Sequence, residues 1–153
     1  MLAPLTITPP DGFVADETVS TWRLPAAPVS LKDPRVMQFQ AAVRPNLTAI
    51  QRRVPAGTAL GDLVAQTCGD LVRHIDGLGS IETTAFDFAD GAAGMLLKYT
   101  MPVHQKFSIF QLQALRIDGE VCTTLTLSTE ASRADDATVK TYLSCIAAAS
   151  VKG

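Results

Sequence analysis

Charge is scarce in this chain of 153 residues: Asp, Glu, Lys and Arg together make up 18%, and thirteen basic against fifteen acidic residues leave a net charge of −2. With no basic surplus to neutralise a phosphate backbone, nucleic acid is not an expected partner. Cysteine is scarce too. Cys68, Cys122 and Cys145 are odd in number and widely spaced, which excludes a disulfide framework and fits a reducing compartment. They read as small buried hydrophobes. The two histidines, His74 and His104, offer no partner for a Cys-His nucleophile or a metal. Cys68 and His74 stand six residues apart on one expected helix and fall on different faces, while His104 lies in a polar link and reads as solvated.

Long apolar runs are also missing. Cys145 to Ala149 is among the longest, against the ~20 residues that a membrane-spanning helix needs. The first residues, Met1-Leu2-Ala3-Pro4-Leu5-Thr6-Ile7, carry neither the basic start nor the continuous apolar core of a signal peptide. No lipobox-like cysteine follows, so the expected location is cytoplasmic. Catalytic signatures are absent: no Gly-x-Ser-x-Gly elbow, no P-loop and no Gly-x-Gly-x-x-Gly after a strand. Gly77-Leu78-Gly79-Ser80 follows a helix and precedes a strand, the wrong order for a phosphate cradle. The expectation is a protein that is not an enzyme and uses no metal and no cofactor.

What the chain does contain is enough to fold. Apolar residues make up 47%, and at this length folding buries about 70% of the surface exposed by the unfolded chain. One domain over residues 1–153 is expected. Prolines punctuate the first 36 residues, where Thr18 to Leu24 reads as a strand. Met37, Phe39, Ala41 and Val43 alternate as a second strand, and Leu47 to Val54 follows after Pro45, which marks an edge, a bulge or a break. Leu60, Leu63, Val64, Cys68, Leu71 and Ile75 form one helical stripe, with Thr58 a candidate N-cap and Gly77 a candidate left-handed cap.

Strands then run together with no helix between them: Ile81 to Phe88, Met95 to Met101, Phe107 to Ile117 and Val121 to Ser128. Asp90-Gly91 signals a turn, Pro102 to Lys106 a link, and Asp118-Gly119 a type I′ hairpin. Val139, Tyr142, Leu143 and Ile146 give a closing helix capped by Ser132 or Asp135, with Asp136 in its first turn. Grouped strands joined by hairpins predict an α+β fold, an antiparallel sheet of about six strands flanked by helices.

The one hint of function is patterning. Met95, Leu97 and Tyr99 in one strand, and Phe107, Ile109, Gln111 and Gln113 in the next, alternate with further apolar residues, so that the sheet is apolar on both faces. Such a sheet must be covered on both sides or bind something. These seven residues are the expected binding face, with Gln111 and Gln113 available to satisfy polar groups of a partner.

Several segments resemble a known family. Arg44-Pro45-Asn46-Leu47 before a strand, Val54-Pro55-Ala56-Gly57-Thr58-Ala59-Leu60 opening a helix, and His74-Ile75-Asp76-Gly77-Leu78 at its exit resemble the DcrB-like proteins of the PsbP-like superfamily. So do Pro10-Asp11-Gly12-Phe13 and the final hairpin, Phe110-Gln111-Leu112-Gln113 through Asp118-Gly119 to Thr124-Leu125-Thr126-Leu127-Ser128. The resemblance spans about residues 8 to 150, and its motifs are structural. It implies an α/β/α sandwich without catalytic activity. Members without leaders include the Eag chaperones of type VI secretion, which hold transmembrane segments of effectors; others are exported lipoproteins or thylakoid-lumen proteins.

The resulting expectation is a cytosolic adaptor or chaperone that binds an apolar segment of a partner protein, forms a homodimer when empty, and does not insert into membranes. The alternatives are a structural homo-oligomer subunit, or a small-molecule- or lipid-binding domain of an exported PsbP-like protein.

Overall fold

β-Branched and apolar residues at alternating positions pair into a single six-stranded sheet. A computed structural model describes residues 8–24, 45–104 and 107–151 of the chain. The strands are β1 (Glu17–Arg23), β2 (Asn46–Arg53), β3 (Glu82–Asp87), β4 (Ala93–His104), β5 (Phe107–Asp118) and β6 (Val121–Glu130), with helices α1 (Leu60–His74) and α2 (Asp136–Ala147). Their order across the sheet is β1-β2-β6-β5-β4-β3, and every neighbouring pair is antiparallel. Strands consecutive in the chain are neighbours in the sheet except β2 and β3, between which the chain passes through α1 to reach the far edge. The expected strand over Met37 to Val43 lies outside the described residues.

The two helices among the described residues take opposite faces. Leu96 and Leu97 are consecutive in β4 and so point to opposite sides. Leu96 joins Leu112, Ala114, Leu125 and Leu127 in a cluster closed by Ile146, Val139, Tyr142 and Leu143 of α2. Leu97 joins Tyr99 and Leu115 under Leu60, Val64, Cys68 and Leu71 of α1, with Leu63 packing nearby on Val54 and Cys122. Leu97 and Leu112 are fully buried, each stabilising the fold by about 2 kcal/mol through removal from water. Hydrophobic groups on both faces of the central strands therefore belong to one core in two layers.

Local details differ from the sequence reading at three points. Thr58 does not cap α1: its hydroxyl donates to the Pro55 carbonyl at 2.6 Å, and Ala59 stands at the N-cap without a side-chain bond. The β5–β6 hairpin places Gly119 and Glu120 in the loop, because Asp118 still pairs with Val121. Only Gly119 has positive φ, +62°, which is the sign pattern of type II′ rather than type I′. The expected link at Pro102 is strand instead. Pro102 pairs with Ser108, followed by a register shift before His104. β3 pairs only as far as Lys98, so no β3 residue requires a donor from Pro102.

At the C-terminal helix the cap is Asp135, whose Oδ1 accepts from the Thr138 N–H at 2.8 Å after a short 3₁₀ turn over Ala131–Arg133. That bond holds the Asp135 carboxyl below the usual carboxylate range.

Candidate functional site

Strand alternation places Met95, Leu97, Tyr99, Phe107, Ile109, Gln111 and Gln113 on the same face of β4 and β5, the face carrying α1. They do not form one open strip. Leu97, Tyr99 and Ile109 are buried, while Met95, Phe107, Gln111 and Gln113 are half-buried. Leu97 and Tyr99 are core beneath α1, whereas Gln111 and Gln113, between Ile109 and Leu115 in β5, stay accessible at the end of that core.

Beyond that end, between α1 and β2, β5 and β6, opens a cleft of about 490 Å³. Gln111, Gln113, Thr124 and Thr126 form its floor, with Ile50 on the β2 side and Leu71 and Ile75 on the helix side. Its mouth carries Glu17, Arg52, Asp70 and His74. The pairing register explains the floor: Gln113 stands opposite Thr126, and Thr124 opposite Ile50, so polar and β-branched side chains of three strands point the same way.

A hydrogen-bond chain fixes this floor. The Tyr99 hydroxyl donates to Gln111 Oε1 at 2.6 Å and lies 3.3 Å from Gln113 Oε1. The Gln111 amide then donates to Ser128 Oγ at 2.8 Å. Fixing Gln111 orients its remaining donor and acceptor capacity before anything binds, and so lowers the ordering cost. Burial pushes the Tyr99 phenol up to about 12, with a smaller push from Cys68.

A phenol held protonated in the folded state gives stability that is complete below pH ~10 and is lost as pH rises from there to about 12, because the unfolded chain ionises first. Tyr99→Phe should cost about 1 kcal/mol at neutral pH, through the missing bond to Gln111. It should also flatten the alkaline loss of stability; urea melts at pH 7 and above pH 10 measure both.

A second hollow, of about 330 Å³, lies on the α2 face at the last residues of β1 and the first of β2, lined by Trp22, Leu24, Leu47, Leu127, Tyr142 and Cys145. Its lining is almost wholly apolar, and Trp22 and Leu24 are more than half exposed. Among the described residues no group of three His, Cys, Asp or Glu side chains is placed to hold a metal ion, and no helix is long and apolar enough to cross a membrane.

Cys122 is buried, as expected of a small hydrophobe, whereas Cys68 is half-buried and Cys145 exposed. Reading the sequence missed Thr124, Thr126, Ile50, Leu71 and Ile75 as cleft residues. Thr124 and Thr126 did leave a signal: threonine at alternate positions of one strand marks a polar lane on one face.

Solved structures supply a comparison. The crystal structure of PA94 from Pseudomonas aeruginosa, a candidate regulator of unknown function, superimposes with a TM-score of 0.64 over 94% of this chain and 89% of that one, at 14% sequence identity. The likeness shows a shared fold. No family model and no curated protein matches the sequence.

Proposed function

We propose that the protein is a non-enzymatic binding module, a chaperone-like adaptor that receives an apolar segment of a partner protein in the cleft between α1 and the sheet. One observation carries the reading: the cleft combines apolar walls, Ile50, Leu71 and Ile75, with a floor of oriented amides and hydroxyls. Apolar walls remove partner side chains from water. Gln113, Thr124 and Thr126 satisfy serine or threonine hydroxyls, or backbone groups, that an apolar segment brings with it. The resemblance to DcrB-like proteins extends the proposal to a cytosolic chaperone of a secreted, type VI effector-like partner.

The test is titration with a fluorescein-labelled 20-residue peptide of alanine and leucine carrying serine at every fourth position. Saturable binding in the micromolar range is expected, weakened about tenfold by Gln113→Glu, which buries a charge against the segment. The absence of saturable binding, or equal binding by Gln113→Glu, would refute the cleft as the receiving site.

A further inference from the structure

We propose that the free edge of β1 is a self-association surface, on which two copies pair antiparallel about Ser20. This goes beyond the cleft reading and does not rest on it. Among the described residues β1 pairs with β2 alone, and all seven of its residues are exposed. A strand edge of this kind presents a row of backbone donors and acceptors that natural sheets usually blunt with proline, lysine or a bulge. Glu17–Arg23 reads Glu-Thr-Val-Ser-Thr-Trp-Arg, with none of these.

The direction of the free groups follows from the ends of the strand. The Arg53 N–H donates to the Asp16 carbonyl at 3.2 Å, and the Leu24 N–H donates to the Pro45 carbonyl at 3.1 Å. Even-numbered residues therefore turn their backbone groups toward β2, and Glu17, Val19, Thr21 and Arg23 turn theirs outward.

The occupant is a second copy because the sequence of this edge is its own complement. With Ser20 on the two-fold axis, Glu17 lies opposite Arg23 and Val19 opposite Thr21, and the reverse holds on the other side. All four outward-facing residues then stand in hydrogen-bonded pairs. Each Glu17 meets an Arg23, an opposite-charge pair on either side of the axis. Shifting the register by one step in either direction separates the charges and leaves strand ends unpaired. Val19 and Trp22, 57% and 56% exposed in the single chain, are partly covered by the pairing. The six strands of each copy then form one continuous sheet, with both α1 helices, and both clefts, on the same side.

Charge exchange tests the register. By sedimentation equilibrium, the protein should be dimeric at tens of micromolar. Glu17→Arg, which sets arginine against arginine at both pairs, should raise the dimer Kd about tenfold, and Arg23→Glu should do the same. The double exchange Glu17→Arg with Arg23→Glu should return the Kd to within about twofold of the wild type. Thr21→Pro removes an outward donor without touching the β2 ladder and should give a monomer.

Ser20 meets Ser20 in a non-hydrogen-bonded pair, with Cα atoms about 4.5 Å apart, inside the range for a disulfide. Ser20→Cys, made with Cys145→Ser to remove the exposed thiol, should therefore cross-link on mild oxidation. A wild-type protein that stays monomeric at ~200 μM overturns the proposal, as it would if a foreign strand or the chain itself occupied the edge. A dimer indifferent to both Thr21→Pro and charge exchange also overturns it.

Discussion

Arg116→Ala is expected to lower the stability of the fold by about 3 kcal/mol, which lowers the melting temperature of a chain this size by roughly 10 °C. Arg116 sits in β5 with 3% of its surface exposed, on the face that carries α2. Its Nε and Nη2 donate to the two carboxylate oxygens of Asp118, each at 2.7 Å. Its Nη1 lies 2.9 Å from Asp90 Oδ2 and 3.5 Å from the Ala149 carbonyl. The guanidinium also stacks over the Phe88 ring at 4.8 Å from its centroid. One side chain thereby ties the β3–β4 turn, the end of β5 and the exit of α2.

Both aspartates are partly open to water, with side chains 28% and 31% exposed. Losing their partner thus costs less than it would for enclosed carboxylates. The larger loss is the guanidinium's packing and its planar fork, so Arg116→Lys should retain only part of the stability. The two bonds that Arg116 donates to Asp118, and then Asp90, raise the Arg116 pKa further. Asp90 is held below its usual value first by the Ala92 N–H and then by Arg116. A carboxyl with a depressed folded pKa gives stability that is complete above pH ~4 and is lost as pH falls through the folded value. Thermal melts from neutral to acid pH should therefore show a shallower acid decline in Arg116→Ala than in the wild type. An alanine variant that melts within 2 °C of the wild type would contradict this account of Arg116.

The sequence carried the sheet clearly and the clamp hardly at all, for a physical reason. Period-two alternation in β5 and β6 and the three- and four-residue stripes in α1 and α2 are local consequences of burial, and local patterns can be read without the fold. The hairpin at Gly119 was legible as a turn but misplaced by one residue, because Asp118 has the composition of a turn residue while its backbone stays in the ladder. Arg116 and Asp118 are neighbours on one face of β5, but Asp90 reaches them only because β4 and β5 pair in one particular register. Asp90 reads locally as the residue that accepts from the Ala92 N–H, and that role conceals the second one.

The candidate site was legible in half. Gln111 and Gln113 announced a polar lane in an otherwise apolar strand, but Tyr99 read as part of an apolar strip. Whether that strip lies open depends on where α1 rests, and periodicity gives a helix its apolar stripe without saying which strands the stripe covers. α1 rests on the Leu97–Leu115 side, which encloses the aliphatic residues and leaves the amides facing the cleft. Ile50 and Thr124 join them only through the pairing of β2 with β6.

Gly94→Ala should destabilise the protein by about 3 kcal/mol, although the exchange adds a single methyl group and raises no conformational objection. Gly94 is buried in β4, and its φ is not positive, so room is the constraint there. A Cβ on Gly94 would stand 2.6 Å from the Leu115 carbonyl oxygen and 2.6 Å from Phe88 Cε2. The carbonyl belongs to the backbone of a central strand and cannot retreat. Phe88 is 3% exposed, meets Phe86 edge-to-face with ring centroids 5.2 Å apart and lies under Arg116. Turning it aside would break the clamp that holds the turn.

Gly119→Ala supplies the contrast. Gly119 has open space around its Cβ position and φ of +62°, so its cost is left-handed strain alone, about 1 kcal/mol. Urea denaturation should rank Gly94→Ala well below Gly119→Ala in stability. Phe88→Leu should recover part of the loss in the Gly94→Ala background while being harmful on its own, since the two substitutions share one space. Equal losses at the two glycines, or strict additivity with Phe88→Leu, would mean that β4 yields to the methyl group and that the close approach of ring, glycine and strand does not set the packing here.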